Sequence, residues 1–261
     1  MTAPRYRPQR VVCLTAETTE IAFAVGAGDR VVGVTGYAVR PPEARQKPRV
    51  AAFQTAHIDR IMRLEPDLVL GFSDLQADLA AELIRRGVNV LVTNQRSLAE
   101  TYAAIEMVGA VLGEPDRGAE LAGELRDSLE QLRPGDAFRR PRVLFEEWDD
   151  PLITGIRWVS EIIEICGGED IYAELGEASS AGDRIVDPAD VISREPDVVI
   201  ASWCGKRVRP ERIRARPGWD TVPAVQRGRI HEVKSPDILQ PGPSLIHGAR
   251  EIARLVREAA S

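Results

Sequence analysis

A Glu-Pro-Asp motif that leads into a short apolar run occurs twice in this chain and constrains its fold more than any other feature. The two copies are EPDLVL at 65–70 and EPDVVI at 195–200. Each half also carries a second and a third match in the same order. These are EIAFAVGA at 20–27 with EIIEICGG at 161–168, and RGV at 86–88 with RGR at 227–229. Motifs that recur in one order predict that a single structural unit is used twice.

One long amphipathic stretch, residues 114–133, separates the two halves. Its leucines at 121, 125, 129 and 132 recur at three- and four-residue steps, which is typical of a helix with one apolar face. Pro115 fits a first helical turn, and Pro134 and Gly135 end the pattern. The sequence therefore predicts an N-terminal lobe over 1–113, an interlobe helix over 114–134 and a C-terminal lobe over 135–261.

In each half, short apolar runs alternate with helical patterns. This alternation predicts an α/β fold of two Rossmann-like lobes, with parallel sheets covered on both faces, joined by one long α-helix. Within it we expect a helix over 19–25 capped by Thr18, a strand over 142–146 followed by a loop at 147–150, and a helix over 160–166.

The charge and cysteine content exclude several classes of protein. With 34 basic and 40 acidic residues the net charge is −6, so no basic surface for nucleic acid is expected. No apolar run is long enough for a membrane helix. The three cysteines lack the spacing of a zinc site or a disulfide framework. No signal peptide is visible at the N-terminus, so cytoplasmic and exported locations both stay open.

Known catalytic and metal-binding patterns are missing as well. His57, His231 and His247 are scattered, and no nucleophile elbow or phosphate-binding loop occurs. Asp149 and Asp150 are adjacent, which favours solvated loop charge over a pair of catalytic carboxylates. We therefore predict a binding protein without catalysis and without a metal site.

Aromatic residues are few, yet most follow predicted strand ends or lie in the adjoining loops. Ligands of parallel sheets bind at the carboxyl ends of the strands, in concave sites lined by aromatic rings. Local packing within each lobe is the alternative for any single ring. For the set together we favour a ligand site, and its members are Tyr37, Phe53, Phe72, Trp148, Trp158 and Trp203.

Six segments match a known family: 10–21, 33–44, 58–69, 147–151, 165–169 and 241–244. Through them the chain resembles the cluster III, long-helix substrate-binding proteins of bacterial ABC importers, and especially their cobalamin-binding branch. The resemblance implies a monomeric, non-enzymatic protein in the periplasm or elsewhere outside the cytoplasm. It would capture cobalamin or a related corrinoid between two lobes and deliver it to the permease subunits of the importer.

The resemblance also implies roles for individual residues. Tyr37, Phe53 and Phe72 would line the corrinoid from the first lobe, and Trp148 and Trp203 from the second. Asp237 or Gln240 would supply a polar contact from the last strand-end loop. The family docks on its permease through one carboxylate in each lobe. The matching positions are Asp59 in the first lobe and Ala189 in the second, with Asp187 and Asp190 beside Ala189.

Two alternatives stay open. A ferric-siderophore or haem-binding protein would have the same fold, and in the haem case Tyr37 would ligate the iron. A cytoplasmic two-lobe α/β enzyme or corrinoid-handling protein is the alternative from another class, and the missing signal peptide favours it.

Overall fold

The computed structural model describes residues 7–52, 55–135, 138–178 and 180–261. The chain divides into two compact units. Unit 1 contains the described residues up to Gln95 together with Ala99–Arg126, and unit 2 contains Arg96–Leu98 together with Asp127–Ser261. The lobe boundaries expected from the sequence stay a prediction.

Unit 1 is built on a five-stranded parallel sheet. Its strand order is β3-β2-β1-β4-β5, and every neighbouring pair is parallel. Val and Leu dominate the central strands and are buried on both faces, as expected for a sheet covered by helices. The strands are β1 (Val11–Cys13), β2 (Val31–Thr35), β3 (Arg49–Ala51), β4 (Leu68–Phe72) and β5 (Asn89–Thr93).

The first helix begins earlier than the sequence predicts. It starts at Ala16, after Thr15, instead of at Thr19. The Thr15 carbonyl accepts hydrogen bonds from the Thr18 and Thr19 hydroxyls, at 3.1 and 2.8 Å, so the two threonines lie inside the first turn. The helices of this part of the chain are α1 (Ala16–Ala24), α2 (Ile58–Arg63), α3 (Ala77–Arg85), α4 (Leu98–Val111) and α5 (Pro115–Glu130).

Helix α5 is the long helix predicted between the halves, shortened by a few residues at its C-terminal end. It packs on α4 at a point where both helices carry glycine. A Cβ atom built on Gly109 would lie 2.7 Å from the Cα of Gly118. The two backbones therefore meet at a distance that only glycine permits.

The sheet of unit 2 combines parallel strands with one antiparallel hairpin. Its order is β10-β9-β6-β7, with β8 paired to the start of β6. The pairs β6–β9, β9–β10 and β6–β8 are parallel, whereas β6–β7 is antiparallel. The strands are β6 (Arg142–Asp149), β7 (Leu152–Thr154), β8 (Glu169–Asp170), β9 (Val198–Ala201) and β10 (Ile230–Glu232).

Strand β6 is longer than predicted, and this changes the surroundings of Trp148 and Asp149. Both residues lie in the strand and pair with β7, as Trp148 opposite Ile153 and Asp149 opposite Leu152. The prediction of a loop at 147–150 is wrong because pairing with β7 extends strand β6 to Asp149. Asp149 is 8% exposed, so its predicted role as solvated loop charge is wrong too.

The helices of unit 2 cover the sheet and include several short ones that the sequence did not predict. Helix α6 begins at Arg157, three residues before its predicted start. The full set is α6 (Arg157–Ile165), α7 (Pro188–Arg194), α8 (Pro210–Arg214), α9 (Pro223–Gln226), α10 (Ser235–Ile238) and α11 (Leu245–Ala260). Trp203, Trp219 and Tyr172 are among the largest buried side chains and belong to one apolar cluster.

The two Glu-Pro-Asp copies adopt the same backbone conformation. Glu65 has φ +46° and Glu195 has φ +43°, a left-handed conformation that side chains other than glycine rarely adopt. The aspartate of each copy then accepts a hydrogen bond from the backbone N–H that opens the first strand of its own unit. Asp67 accepts from Arg10 at 2.9 Å, and Asp197 accepts from Arg142 at 3.1 Å.

The other two pairs of matching segments, 20–27 with 161–168 and 86–88 with 227–229, also share a backbone conformation at their glycines. Gly26 and Gly167 have φ values of +85° and +86°, and Gly87 and Gly228 have +82° and +68°. Strand order repeats too, because β2-β1-β4-β5 in unit 1 corresponds to β8-β6-β9-β10 in unit 2. The predicted repeat is thus present in the backbone and in the topology.

Candidate functional site

In unit 1, an exposed aromatic ring lies just past the carboxyl end of β2. Tyr37 is 52% exposed, and its backbone N–H donates to the Thr35 hydroxyl at 3.3 Å. The preceding N–H, of Gly36, donates to the Ala51 carbonyl at 2.7 Å. These bonds fix the backbone and leave the ring free to meet a ligand.

The other two aromatic residues predicted for this unit differ from Tyr37. Phe72 is the last residue of β4 and is 6% exposed, with its N–H bound to the Gln76 side chain at 3.1 Å. Its strand is separated from β2 by β1 alone, so Phe72 and Tyr37 belong to the same edge of the sheet. Phe53 lies outside the described residues.

In unit 2, Trp148 is the aromatic residue with solvent access at the end of its strand. Its indole N–H donates to the Asp150 carbonyl at 3.0 Å. The Lys206 ammonium lies 3.6 Å from the ring centroid, within the range of a cation–π contact. The ring is therefore held in place and polarised by a neighbouring cation.

Trp203 and Trp158 are packed inside unit 2. Trp203 is 1% exposed, and its indole N–H donates to Glu146 at 2.8 Å. Trp158 is 3% exposed, and its indole N–H donates to the Ile238 carbonyl at 2.9 Å. Local packing, the alternative that the sequence left open, therefore describes both rings in this structure.

A buried ion pair supports the end of β6. Glu146 is fully buried and accepts from two nitrogens of Arg216, at 2.7 and 2.9 Å, as well as from Trp203. Burial raises the pKa of Glu146, and the hydrogen bonds from Arg216 and Trp203 oppose that shift. Asp149 lies 2.7 Å from Arg212, so a second ion pair supports the same strand.

The segments that follow β9 and β10 in unit 2 contain polar side-chain atoms without a hydrogen-bond partner among the described residues. Asp237 lies in the first turn of α10 and Gln240 just after it, both half-buried. The Gln240 side-chain oxygen and the hydroxyls of Ser202 and Ser244 have no hydrogen-bond partner within the described part of the chain. Such groups can accept or donate hydrogen bonds to water or to a bound molecule.

Sequence reasoning missed Glu17. It lies in the first turn of α1, directly after β1, and is 3% exposed. Burial raises the pKa of Glu17 to about 7, although a hydrogen bond from Thr15 lowers it. The sequence signal that could have pointed to Glu17 is the run TAETTE at 15–20, because it places two acidic residues at the start of a helix.

The three carboxylates predicted to dock on a permease have different surroundings. The Asp59 side chain is 84% exposed, with Arg86 at 3.2 Å. Asp187 caps α7 by accepting from the Ala189 N–H at 2.8 Å. Asp190 accepts from the Tyr172 hydroxyl and from Arg194, each at 2.9 Å, and these hydrogen bonds lower its pKa.

Neither a metal site nor a membrane span is found in the part of the chain that the structure describes. No three His, Cys, Asp or Glu residues are grouped closely enough to hold an ion there. No described helix combines the length and the apolar character needed to cross a bilayer. Burial raises the pKa of Cys13 and Cys166 to about 12, so neither thiol is reactive.

Two curated relatives resemble this sequence over most of its length. An uncharacterized ABC transporter substrate-binding lipoprotein of Bacillus subtilis, YvrC, is 28% identical over 260 residues, which is 95% of this chain and 80% of the relative. A vitamin B12-binding protein of Vibrio cholerae is 31% identical over 205 residues, which is 77% of this chain and 72% of the relative.

Two solved structures share the fold along nearly the whole chain. The periplasmic vitamin B12 binding protein BtuF of Vibrio cholerae superposes with a TM-score of 0.77 and 26% identity, covering 97% of this chain and 98% of its own. The periplasmic haem-binding protein RhuT of Roseiflexus sp. RS-1, in apo form, gives 0.81 and 26%, covering 97% and 99%. The predicted α/β class with parallel sheets is confirmed.

The profile of the periplasmic binding protein family matches residues 11–236. That match spans both copies of the repeat and all ten strands. The resemblance on which the sequence analysis relied is therefore confirmed, and the chain belongs to the periplasmic binding protein family.

Proposed function

We propose that this protein is the substrate-binding component of an ABC importer and that its cargo is cobalamin or a closely related corrinoid. The observation that carries the proposal is the exposed ring of Tyr37 at the carboxyl end of β2, because it lies within the 33–44 segment that resembles cobalamin binders. The vitamin B12-binding relative at 31% identity supports the same cargo.

Binding would rest on apolar contact with the flat macrocycle. A ring that buries about 100 Å² of apolar surface contributes about 2.5 kcal/mol before the costs of association are subtracted. The Tyr37 ring is exposed and the Trp148 ring is half-buried with its indole N–H already bonded, so each can make such a contact with little ordering cost. Trp148 has an added feature, since the Lys206 ammonium already covers part of one ring face.

A haem-binding function is the second candidate, and one observation favours it. The Tyr37 phenol is exposed, so its oxygen can reach an iron atom, and the RhuT structure is as similar in sequence as that of BtuF. The titrations that compare haemin with cyanocobalamin also test a ferric-siderophore cargo. An enzymatic or cytoplasmic role has less support, since the family is one of transport components.

Delivery would take place outside the cytoplasm, where the named relatives act as periplasmic or lipoprotein binding proteins. Asp59 is the carboxylate best placed to meet a permease, because its side chain is 84% exposed on α2. Asp187 and Asp190 already bind Ala189, Tyr172 and Arg194. We therefore propose that docking depends on Asp59 more than on the second-half carboxylates.

Calorimetric titration tests the cargo. Cyanocobalamin, haemin and a ferric catecholate are titrated separately into the wild type and into Tyr37→Ala and Trp148→Ala. We expect the wild type to bind cyanocobalamin most tightly, and each variant to lose about 1–3 kcal/mol of binding free energy. Met107→Ala, an exposed apolar truncation on α4, is the matched control and should bind as the wild type does.

Two results would contradict the proposal. Tighter binding of haemin than of cyanocobalamin would favour the haem candidate, and its loss in Tyr37→Phe would identify the phenol as the iron ligand. Unchanged cyanocobalamin affinity in both aromatic variants would remove these rings from the site.

A further inference from the structure

The start of α1 places an acidic side chain where a parallel sheet offers its ligand site. Glu17 follows β1 by four residues, and β1 is the central strand of its sheet, between β2 and β4. Helix α1 has nine residues, and its N-cap Thr15 makes no side-chain capping bond. The Glu17 carboxyl therefore lies at the strand-end edge that also carries Tyr37 and Phe72.

One oxygen of this carboxyl is buried without a partner. Glu17 is 3% exposed, and its Oε1 atom makes no hydrogen bond to any described residue. Leaving a buried acceptor unsatisfied costs about 1–3 kcal/mol, and more when the group is charged. A helix N-terminus favours a nearby negative charge and offsets part of this cost, but it supplies no donor to Oε1.

The surroundings of Glu17 within unit 1 are acidic. Glu20 raises the pKa of Glu17, and Glu17 in turn raises that of the Cys13 thiol on β1. Arg40 forms an ion pair with Glu20 at 3.1 Å. A ligand group next to Glu17 therefore meets an unpaired acceptor and excess negative charge.

We propose that Glu17 selects the ligand by its side-chain chemistry, accepting a hydrogen bond from a primary amide N–H and excluding a carboxylate. This inference rests on the proposed cargo, because the periphery of a corrinoid carries primary amides whereas haem carries carboxylates. An amide N–H supplies the donor that Oε1 lacks. A carboxylate supplies none, and the ionised Glu17 carboxylate would repel it.

The test compares two corrinoids that share a ring and differ in these groups. Cobinamide retains the amides, and cobyrinic acid has carboxylates in their place. Each is titrated into the wild type and Glu17→Gln at pH 8, followed by absorbance. Glutamine keeps an acceptor oxygen and the shape of the side chain but removes the charge. Glu106→Gln, an exposed substitution on α4, is the matched control.

We expect the wild type and Glu106→Gln to bind cobinamide at least tenfold more tightly than cobyrinic acid. In Glu17→Gln this ratio should fall about tenfold, which corresponds to about 1.4 kcal/mol, mainly through tighter binding of the carboxylate form. Glu17→Ala, which removes the acceptor as well, should also weaken cobinamide binding. Thermal melting of each variant verifies that it is folded.

The outcomes separate this inference from the proposed function. A wild type that binds neither corrinoid refutes the cargo. A wild type that binds both, with a ratio that neither Glu17 variant changes, refutes the role of Glu17 and leaves the cargo standing. A Glu17→Gln variant that melts below the wild type would show that the carboxyl serves the fold instead, because the proposal expects its removal to leave the fold intact.

Discussion

Replacing Arg216 by methionine should destabilise the protein strongly, because the buried Glu146 carboxylate would lose its cationic partner. Arg216 makes two of the three hydrogen bonds to Glu146, which is fully buried. Methionine fills similar space but carries no donor, so among the described residues the carboxylate keeps only the Trp203 indole. Removing one member of a buried ion pair typically costs about 3–5 kcal/mol, a large fraction of the stability of a domain.

The pH dependence gives this prediction a signature of its own. Burial already raises the pKa of Glu146, and losing Arg216 raises it further. A carboxyl whose pKa is higher in the folded state than in the unfolded state loses stability as pH rises through that window. The deficit of Arg216→Met should therefore be larger at pH 8 than at pH 5, where the folded protein can hold Glu146 protonated.

Urea denaturation of the wild type and variants at both pH values measures the effect. Arg214→Met replaces an exposed arginine at the end of α8, two residues before Arg216; it is the control and should lie within about 0.5 kcal/mol of the wild type. The double variant Glu146→Gln/Arg216→Met should recover part of the loss, because the uncompensated charge is gone. A loss below about 1 kcal/mol in Arg216→Met, equal at both pH values, would refute the reasoning.

Three further variants test the fold. Burial raises the pKa of Glu17 from 4.5 to about 7, so wild-type stability should fall as pH rises across that range, by about 3 kcal/mol in total. Urea denaturation of Glu17→Gln should show a flatter profile, and equal slopes would contradict this. Gly109→Ala should lower the free energy of unfolding by about 1–3 kcal/mol, because its Cβ would lie 2.7 Å from the Cα of Gly118. Gly123→Ala on α5 meets nothing within 4 Å and should stabilise by up to about 1 kcal/mol, and a loss there would count against the packing argument.

The duplicated architecture could be predicted from the sequence because its signals are local. Both halves carry the same Glu-Pro-Asp sequence because both use the same local structure. The glutamate is left-handed, and the aspartate accepts a hydrogen bond from the backbone at the start of the first strand of its unit. Apolar strands alternating with helices then predicted parallel sheets. The start of helix α7 is a local signal as well, because Pro188 lies in its first turn and Asp187 caps it.

The errors arose where distant residues decide the outcome. Strand β6 extends to Asp149 because β7 pairs with it, and no local sequence pattern predicts that hairpin. Trp203 is buried in the apolar cluster of unit 2, and its indole N–H donates to Glu146, 57 residues away, which also accepts from Arg216. The local sequence around a tryptophan that follows a strand does not show whether its side chain is buried or exposed.

The start of α1 shows a third kind of limit. Threonine is a common N-cap, so Thr18 was a reasonable choice, yet the Thr15 carbonyl accepts from both later threonines and moves the helix start back. That shift places Glu17 inside the helix and buries it. The candidate site residue that the sequence missed was thus hidden by an error of a few residues in one boundary.

Competition between two coloured ligands tests the central claim most directly. The protein is mixed with equimolar cyanocobalamin and haemin, each in excess, and the protein fraction from gel filtration is examined by visible absorption. Our account predicts that the corrinoid spectrum elutes with the protein and that the haem spectrum does not. A haem spectrum on the protein, with cyanocobalamin left among the small molecules, would contradict it.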